Sequence, residues 1–186
     1  MDTRNLSFET LVKSLKLSDE FLSRVKDCQL EEVKKERIVS LYLKDKYVKE
    51  YSTDISGKPI SKNCFFNISH SQGVVALAKT QYCDIGVDIE VIRDYKDDLA
   101  QYICTDDEYK YIRNKTSFFE IWTSKESLVK CNGLGIRKRM VDIPALPVNG
   151  KKEFEGSTYS SKIIKIDDMV ISITIQGKED FEIKIL

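Results

Sequence analysis

The chain has 186 residues, of which 41% are hydrophobic and 32% are charged, and its formal net charge is zero. This composition excludes an intrinsically disordered chain and is typical of one domain, or of two small halves packed together. Neutral charge also argues against nucleic acid as a partner, because proteins that bind the phosphate backbone are usually basic.

The cysteines and the N-terminal residues indicate the compartment. The five cysteines are widely spaced and form no C-x-x-C pair, so neither a common zinc motif nor a disulfide framework is expected. The first ten residues include Asp2, Arg4 and Glu9, and no apolar run is long enough to span a bilayer. We therefore predict reduced thiols, a cytoplasmic location, no signal peptide and no membrane partner.

The first part of the chain is predicted to contain helices followed by strands. One or two short helices fall within residues 1–30, and apolar residues at mixed spacings of three and four predict a long helix from Glu31 to Tyr51. Residues 52–63 are predicted to form a loop. Three strands follow, with a turn at 69–73 between the first two: Cys64–Ile68, Val74–Lys79 and Asp84–Ile92.

The second part repeats this order of elements. Residues 94–114 are predicted to be mostly helical, and a further helix begins at Ser117, with Glu120 completing a capping box, and ends at Asn132-Gly133. Short strands are then predicted: Val141–Ile143, Lys162–Ile166, Met169–Ile175 and Asp180–Ile185. The repeated order predicts an N-terminal half at 1–94 and a C-terminal half at 95–186.

Two carboxylates alternate along the third predicted strand. Because successive strand residues point to opposite faces, Asp88 and Glu90 share one face with Gly86, and their backbones lie about 7 Å apart. Such a pair can bind one cation, and Gly86 is expected to leave space for a ligand beside it. The alternative is the solvated face of an ordinary amphipathic strand.

The second long helix has a misplaced lysine. Lys125 falls in the middle of an apolar stripe that includes Trp122, so it either extends to the surface or reaches an anionic ligand. Glu126 and Lys130 lie one turn apart at the edge of this stripe. They are either part of the same site or an ordinary helical ion pair.

A polar segment follows the first predicted strand. Ser69 and His70 lie in the predicted turn, where hydroxyl and imidazole groups can bind phosphate, although a plain polar hairpin turn explains them equally well. A serine hydrolase is disfavoured, because no G-x-S-x-G motif is present and adjacent side chains do not usually face each other.

Taken in order, these motifs resemble the 4′-phosphopantetheinyl transferase superfamily, and in particular its surfactin-type members. The resemblance rests on short segments that occur in the family's order between residues 58 and 135: Lys58-Pro59, Asn67-Ile68-Ser69-His70, Gly86-Val87-Asp88-Ile89-Glu90, Trp122 to Ser127 with Lys130, and Gly133-Leu134-Gly135. It implies an α+β fold of two similar α/β halves related by pseudo-twofold symmetry. Each half would pack a long helix on a mainly antiparallel sheet, with the active site between the halves.

The resemblance also implies an activity and a metal site. Such enzymes, the holo-[acyl-carrier-protein] synthases, transfer 4′-phosphopantetheine from coenzyme A to a serine of an acyl or peptidyl carrier protein. Magnesium would be held by Asp88, Glu90 and Glu126, and manganese would suit the same ligands. Glu126 and Lys130 would be the catalytic residues, and a monomer is expected because the two halves replace a subunit interface.

The coenzyme A contacts implied by the family involve further residues. Lys130, with Lys125 nearby, would contact the pyrophosphate, and Ser69 and His70 would hold the end that carries the 3′-phosphate. Lys58 would lie at the adenine end, and Arg37 is the best N-terminal match for a further basic contact to the 3′-phosphate. Two alternatives remain open: a non-catalytic module that binds coenzyme A or a carrier protein, and a different magnesium-dependent phosphate enzyme.

Overall fold

The helices of the protein flank its strands in both parts of the chain. The computed structural model describes residues 1–53, 58–133, 135, 138–177 and 180–186. Within these ranges the α-helices are α1 (Phe8–Leu15), α2 (Asp19–Ser23), α3 (Glu31–Tyr47), α4 (Asp97–Ile103), α5 (Asp106–Tyr111) and α6 (Lys115–Asn132), and a 3-10 helix spans Met140–Asp142. None of these helices is long and apolar enough to cross a membrane.

The strands pair in an antiparallel manner in three sheets. Two are hairpins, formed by β1 (Ser52–Thr53) with β2 (Pro59–Ile60) and by β3 (Phe65–Ser71) with β4 (Val74–Thr80). The third sheet has the order β5-β8-β7-β6 and contains β5 (Ile85–Val91), β6 (Gly150–Phe154), β7 (Ser157–Ile166) and β8 (Met169–Gln176). The mixture of helices and antiparallel sheets confirms the α+β class.

Each long helix packs on one of the larger sheets. Helix α3 contacts β4 through a core that contains Ile38, Val39 and Val75, whereas α6 packs on β5 and β8. Strand β5 pairs with β8 from Ile85↔Ile175 to Val91↔Met169, so the predicted division at residue 94 separates two strands of one sheet. The division and the pseudo-twofold relation between the halves stay predictions.

The termini of α6 explain where this helix begins and ends. Asn114 caps the first turn and accepts from the Ser117 backbone N–H at 3.0 Å, while the Ser117 side chain completes a capping box. Gly133 ends the helix at φ 77°, a left-handed conformation that favours glycine. The predicted end is therefore confirmed, but the predicted cap at Ser117 is wrong, because the cap is Asn114, three residues earlier.

Several strand predictions differ from the structure. Strand β3 continues through Ser71, because the turn needs only Gln72 and Gly73, whose φ angles of 46° and 81° match a type I′ hairpin. Residues 141–143 lie in or beside the 3-10 helix, and the described residues 180–186 form no strand. Strand β6 was missed, since its sequence Gly-Lys-Lys-Glu-Phe has little apolar character.

Candidate active site

Strands β3 and β5 lie side by side but belong to different sheets, and polar side chains of β3 accept hydrogen bonds from the backbone of β5. Asn67 Oδ1 accepts from the backbone N–H of Val87 at 3.0 Å, and Ser69 Oγ accepts from that of Ile89 at 3.4 Å. Residues two apart on a strand share a face, so Ser71 lies on the same side as Asn67 and Ser69. This arrangement places three polar side chains of β3 beside the carboxylates of β5.

Asp88 is the buried centre of the site, with 4% of its surface exposed. Its Oδ1 accepts from Ser69 Oγ at 2.9 Å and from Lys130 Nζ at 2.6 Å. Burial raises the pKa of Asp88 to about 6, although Lys130 and Ser69 favour the ionised form. Its other oxygen, Oδ2, is buried and has no hydrogen-bond partner among the described residues.

Helix α6 contributes Lys130 and, one turn earlier, Glu126. Lys130 Nζ also donates to Ser69 Oγ at 2.9 Å, so the ammonium is shared between β3 and β5. Burial raises the pKa of Glu126; the Lys130 ammonium opposes this shift, and the Glu90 carboxylate adds to it. Residues four apart share one face of a helix, so Glu126 lies on the same side of α6 as Lys130.

Glu90 has two partners that the sequence analysis missed. Its Oε2 accepts from Ser71 Oγ and from Arg93, each at 2.6 Å. The signals were available, because Ser71 follows Ser69 by one strand period and Arg93 follows Glu90 by three residues. Neither spacing is distinctive alone, and the contact between β3 and β5 cannot be predicted from local sequence.

Gly86 has a different role from the predicted one. A Cβ at this position would lie 2.0 Å from the Ser127 carbonyl oxygen and 2.4 Å from the Cys131 backbone nitrogen. The helix backbone therefore occupies the space that was expected to admit a ligand. Gly86 permits the close approach of α6 to β5, and this approach brings Lys130 to Asp88.

The site fits a divalent cation in its ligand chemistry. No group of three or more His, Cys, Asp or Glu side chains is close enough to hold a metal ion within the part of the chain that the structure describes. Carboxylate oxygens are nevertheless the ligands that magnesium prefers, and Asp88 Oδ2 is a buried carboxylate oxygen with its bonding capacity unused. Among the described residues, Asp88 thus has a buried carboxylate oxygen that is available to a cation.

Lys125 does not belong to this cluster, which corrects the expected contact with the pyrophosphate. Its side chain is fully buried, and Nζ donates to Glu108 at 2.7 Å and to the carbonyl oxygens of Met140 and Ile143 at 3.0 and 2.5 Å. All three donor hydrogens of the ammonium are therefore used inside the protein. The lysine in the apolar stripe connects α6 to α5 and to the segment at 140–143.

Ser69 and His70 diverge, although the family resemblance places both at one end of coenzyme A. Adjacent strand residues point to opposite faces, so Ser69 reaches Asp88 while His70 faces α3, where its Nδ1 lies 3.0 Å from Glu36 Oε2. The His70 side chain is 57% exposed and remains accessible to a ligand. Ser69 contacts the carboxylate cluster instead, and its binding to the 3′-phosphate end of coenzyme A stays a prediction.

The remaining predicted coenzyme A contacts lie away from the cluster. Lys58 Nζ is 3.9 Å from Asp84 and lies beside Gly133, at the end of α6, one turn beyond Lys130. Arg37 is exposed on α3, and its guanidinium lies 3.6 Å from Cys28 Sγ. The structure therefore brings together Asp88, Ser69 and Lys130, with Glu90 and Glu126 nearby, but not the remaining predicted residues.

Comparisons with known proteins bear on this site. A family model described as the 4′-phosphopantetheinyl transferase superfamily matches residues 84–173, which include β5 and α6 and hence all three carboxylates and Lys130. Over these residues, just under half of the chain, the protein is similar to this superfamily, as its motifs predicted. The surfactin-type subdivision stays a prediction.

Three curated relatives carry the same activity in their names. The chain is 28% identical over 144 residues to the 4′-phosphopantetheinyl transferase HetI of Nostoc sp., an alignment that covers 69% of this chain and 61% of the relative. It is 37% identical over 87 residues to gsp of Aneurinibacillus migulanus and 30% identical over 95 residues to psf-1 of Bacillus pumilus. These alignments cover 43% and 46% of this chain, and 36% and 40% of the relatives. In each case the match spans less than two thirds of the relative.

Proposed function

We propose that the protein transfers the 4′-phosphopantetheine group of coenzyme A to a serine of an acyl or peptidyl carrier protein, depends on magnesium and releases 3′,5′-ADP. The observation that carries the proposal is the buried Asp88 carboxylate, shared with Ser69 and Lys130 and with Oδ2 unpartnered, inside the segment that the family model matches. The names of the relatives give the group that is transferred.

Asp88, Glu90 and Glu126 would hold the magnesium ion. When bound, the cation would neutralise negative charge on the pyrophosphate, and manganese would suit the same oxygen ligands. Ser69 and Ser71 would orient two of these carboxylates through the hydrogen bonds that they already donate. Of the three carboxylates, Asp88 is the one that is buried, and its Oδ1 accepts from both β3 and α6.

Lys130 would stabilise the charge on the substrate. Its ammonium lies between Ser69 and Asp88 and has a third hydrogen available for a phosphate oxygen. During transfer, the carrier serine oxygen would form a bond to the phosphorus of the pantetheine phosphate, and the bond from that phosphorus to the 3′,5′-ADP oxygen would break. A lysine held beside the pyrophosphate stabilises the charge that develops on the leaving oxygen.

Glu126 would accept the proton of the carrier serine, directly or through a water molecule. Burial raises its pKa, which makes this carboxylate a stronger base than an ordinary glutamate. His70, on the exposed edge of β3, would bind the 3′-phosphate, and Lys58 and Arg37 would contact other parts of coenzyme A. A monomeric state and a cytoplasmic location, with neither nucleic acid nor membrane as a partner, complete the proposal.

The test is the intact mass of apo carrier proteins incubated with the protein, coenzyme A and magnesium. Fatty-acid and nonribosomal-peptide carriers are both used, and a gain of one phosphopantetheine mass that EDTA prevents is expected. Glu126→Gln should abolish this gain and retain coenzyme A binding, whereas the matched exposed variant Glu20→Gln should behave like the wild type. Near-normal transfer by Glu126→Gln would refute the assigned base.

The same experiment separates the rival functions. Coenzyme A binding without transfer to any carrier would favour a non-catalytic binding module on this fold. Hydrolysis of nucleotides in the absence of a carrier would favour another magnesium-dependent phosphate enzyme. The absence of both binding and turnover would refute the proposal as a whole.

A further inference from the structure

Glu36 on α3 is the one described carboxylate in an ion pair with His70. Glu36 Oε2 lies 3.0 Å from His70 Nδ1, and Glu36 Oε1 accepts from the backbone N–H of Gly73 at 2.6 Å. Both oxygens of this carboxylate therefore contact the β3–β4 hairpin, one at the strand and the other at its turn.

The two partners differ in how firmly they are held. The Glu36 side chain is 13% exposed and fixed at both oxygens, whereas the His70 side chain is 57% exposed. The carboxylate is thus the fixed partner and the imidazole is the one that it orients. Val75 of β4 lies opposite His70 in the hairpin and is fully buried against α3, which fixes the strand that carries the ring.

The contact determines which ring nitrogen is offered to a ligand. A carboxylate oxygen can only accept a hydrogen bond, so the 3.0 Å contact favours the form of the ring that carries a hydrogen on Nδ1. The two nitrogens of an imidazole point away from each other, so Nε2 is the nitrogen that does not face Glu36. In the imidazolium form, Nδ1–H is used by Glu36 and Nε2–H remains for an anion.

We propose that Glu36 is a positioning residue, which acts through His70 to set the selectivity of the protein for the 3′-phosphate of coenzyme A. This inference rests on the proposed function, in which His70 binds that phosphate. By orienting His70, Glu36 would favour binding of the 3′-phosphate, whereas its own negative charge repels that phosphate. Removing Glu36 therefore weakens the preference for the phosphate in the first case and strengthens it in the second, so an experiment can separate the two effects.

The experiment compares the dissociation constants of coenzyme A and 3′-dephospho-coenzyme A, measured by calorimetry on the full chain. The ratio of the two constants reports the 3′-phosphate alone, and a general loss of structure would not change it selectively. His70→Ala should lower the preference for coenzyme A about tenfold, as expected for loss of a charge-assisted hydrogen bond, and Glu36→Ala about three- to fivefold. Glu32→Ala, which removes the same charge one helical turn earlier, should leave the preference unchanged.

The double variant shows whether Glu36 acts through His70. In the His70→Ala background, Glu36→Ala should have no further effect on the preference, because the residue that it orients is absent. An unchanged or increased preference in the single Glu36→Ala variant would overturn the inference while leaving the proposed function intact. Failure of the wild type to bind either ligand would overturn both.

A second measurement needs no variant that must fold. His70 is the single histidine of the chain, so its ring signals can be assigned directly in a long-range ¹H–¹⁵N spectrum. At a pH where the ring is neutral, the wild type should carry its hydrogen on Nδ1, as the contact with Glu36 favours. A neutral ring with its hydrogen on Nε2 in the wild type would overturn the inference.

Discussion

Gly86→Ala tests the structural basis of the site, because it changes one methyl group at the closest approach of β5 and α6. The added Cβ would lie 2.0 Å from the Ser127 carbonyl oxygen and 2.4 Å from the Cys131 nitrogen, whereas ordinary contact begins at 3.4 Å. Both neighbours are backbone atoms and cannot change rotamer. The helix and the strand must therefore separate by more than about 1 Å, in a region packed as densely as a protein interior.

The expected cost follows from this displacement. Overpacking of a core usually costs about 1–3 kcal/mol and occasionally more, and we expect a value of about 3 kcal/mol or above because no side chain can relieve the clash. For a chain of this size, that corresponds to a fall of roughly 6–12 °C in Tm. Lys130 directly precedes Cys131, so its 2.6 Å contact with Asp88 should also be lost.

The assay is urea unfolding, with the free energy of unfolding compared at an unchanged m-value. Gly156→Ala is the matched control, because a Cβ there meets no heavy atom within 4 Å and only the backbone conformation at φ +72° opposes the change. This control should lose about 1–2 kcal/mol. A loss of less than about 1 kcal/mol in Gly86→Ala, or a loss no larger than that of the control, would refute the role given to Gly86.

Three further predictions concern the charged and polar side chains of the molecule. The pKa of Asp88 is raised from 3.8 to about 6, so the folded state binds this proton more tightly than the unfolded chain, and ionisation of Asp88 lowers the free energy of unfolding as pH rises from about 4 to 6. Asp88→Asn should therefore be more stable than the wild type at pH 7.5, by up to about 3 kcal/mol. In urea titrations between pH 4 and 6, its free energy of unfolding should also depend less on pH. Lower stability at pH 7.5, with the same dependence of the free energy of unfolding on pH as the wild type, would contradict this. Lys125→Met leaves the Glu108 carboxylate buried without the lysine ammonium and should lower the free energy of unfolding by about 3–5 kcal/mol in the same assay. The double variant Lys125→Met/Glu108→Gln should recover part of this loss. A loss below about 1 kcal/mol in the single variant would show that the ion pair is dispensable. Ser71→Ala removes a hydrogen bond to Glu90 and should lower magnesium affinity about tenfold in calorimetry with little change in Tm, and an unchanged affinity would argue against Glu90 as a ligand.

The elements that carry the site could be predicted because their local signals are strong. Strand β5 was predicted as Asp84–Ile92 and observed as Ile85–Val91, since alternating β-branched residues leave little choice of structure. The end of α6 was marked by Gly133, which adopts the left-handed conformation required at a helix terminus. Strand β6 gave no such signal: Lys152 points into the interior, where it donates to Ser124, and burial lowers its pKa to about 7.

The exposure of β5 could not be predicted from its alternating pattern. A strand with polar residues on one face is usually half exposed, but both Gly86 and Asp88 are buried, because α6 and the polar side chains of β3 cover that face. The two elements that cover this face of β5 are distant in sequence. Asp88 contacts Ser69 of β3, about 20 residues earlier, and Lys130 of α6, about 40 residues later. Local periodicity contains no information on such contacts.

Lys125 and Lys130 show how far a helical pattern can assign function. Both lie on α6 five residues apart, and both were expected at the pyrophosphate. The position of Lys125 within the apolar stripe indicated burial, but it left open whether the partner of the ammonium was a ligand or a protein group.

The partner is Glu108 of α5. Its carboxylate also accepts hydrogen bonds from the backbone N–H groups of Ala145 and of Thr105, the residue that caps α5. A carboxylate that is buried and bonded in this way must have a cation beside it, so Lys125 is committed to the interior whether or not a substrate is present. Lys130, paired with an aspartate that keeps one oxygen free, retains the capacity to bind a phosphate.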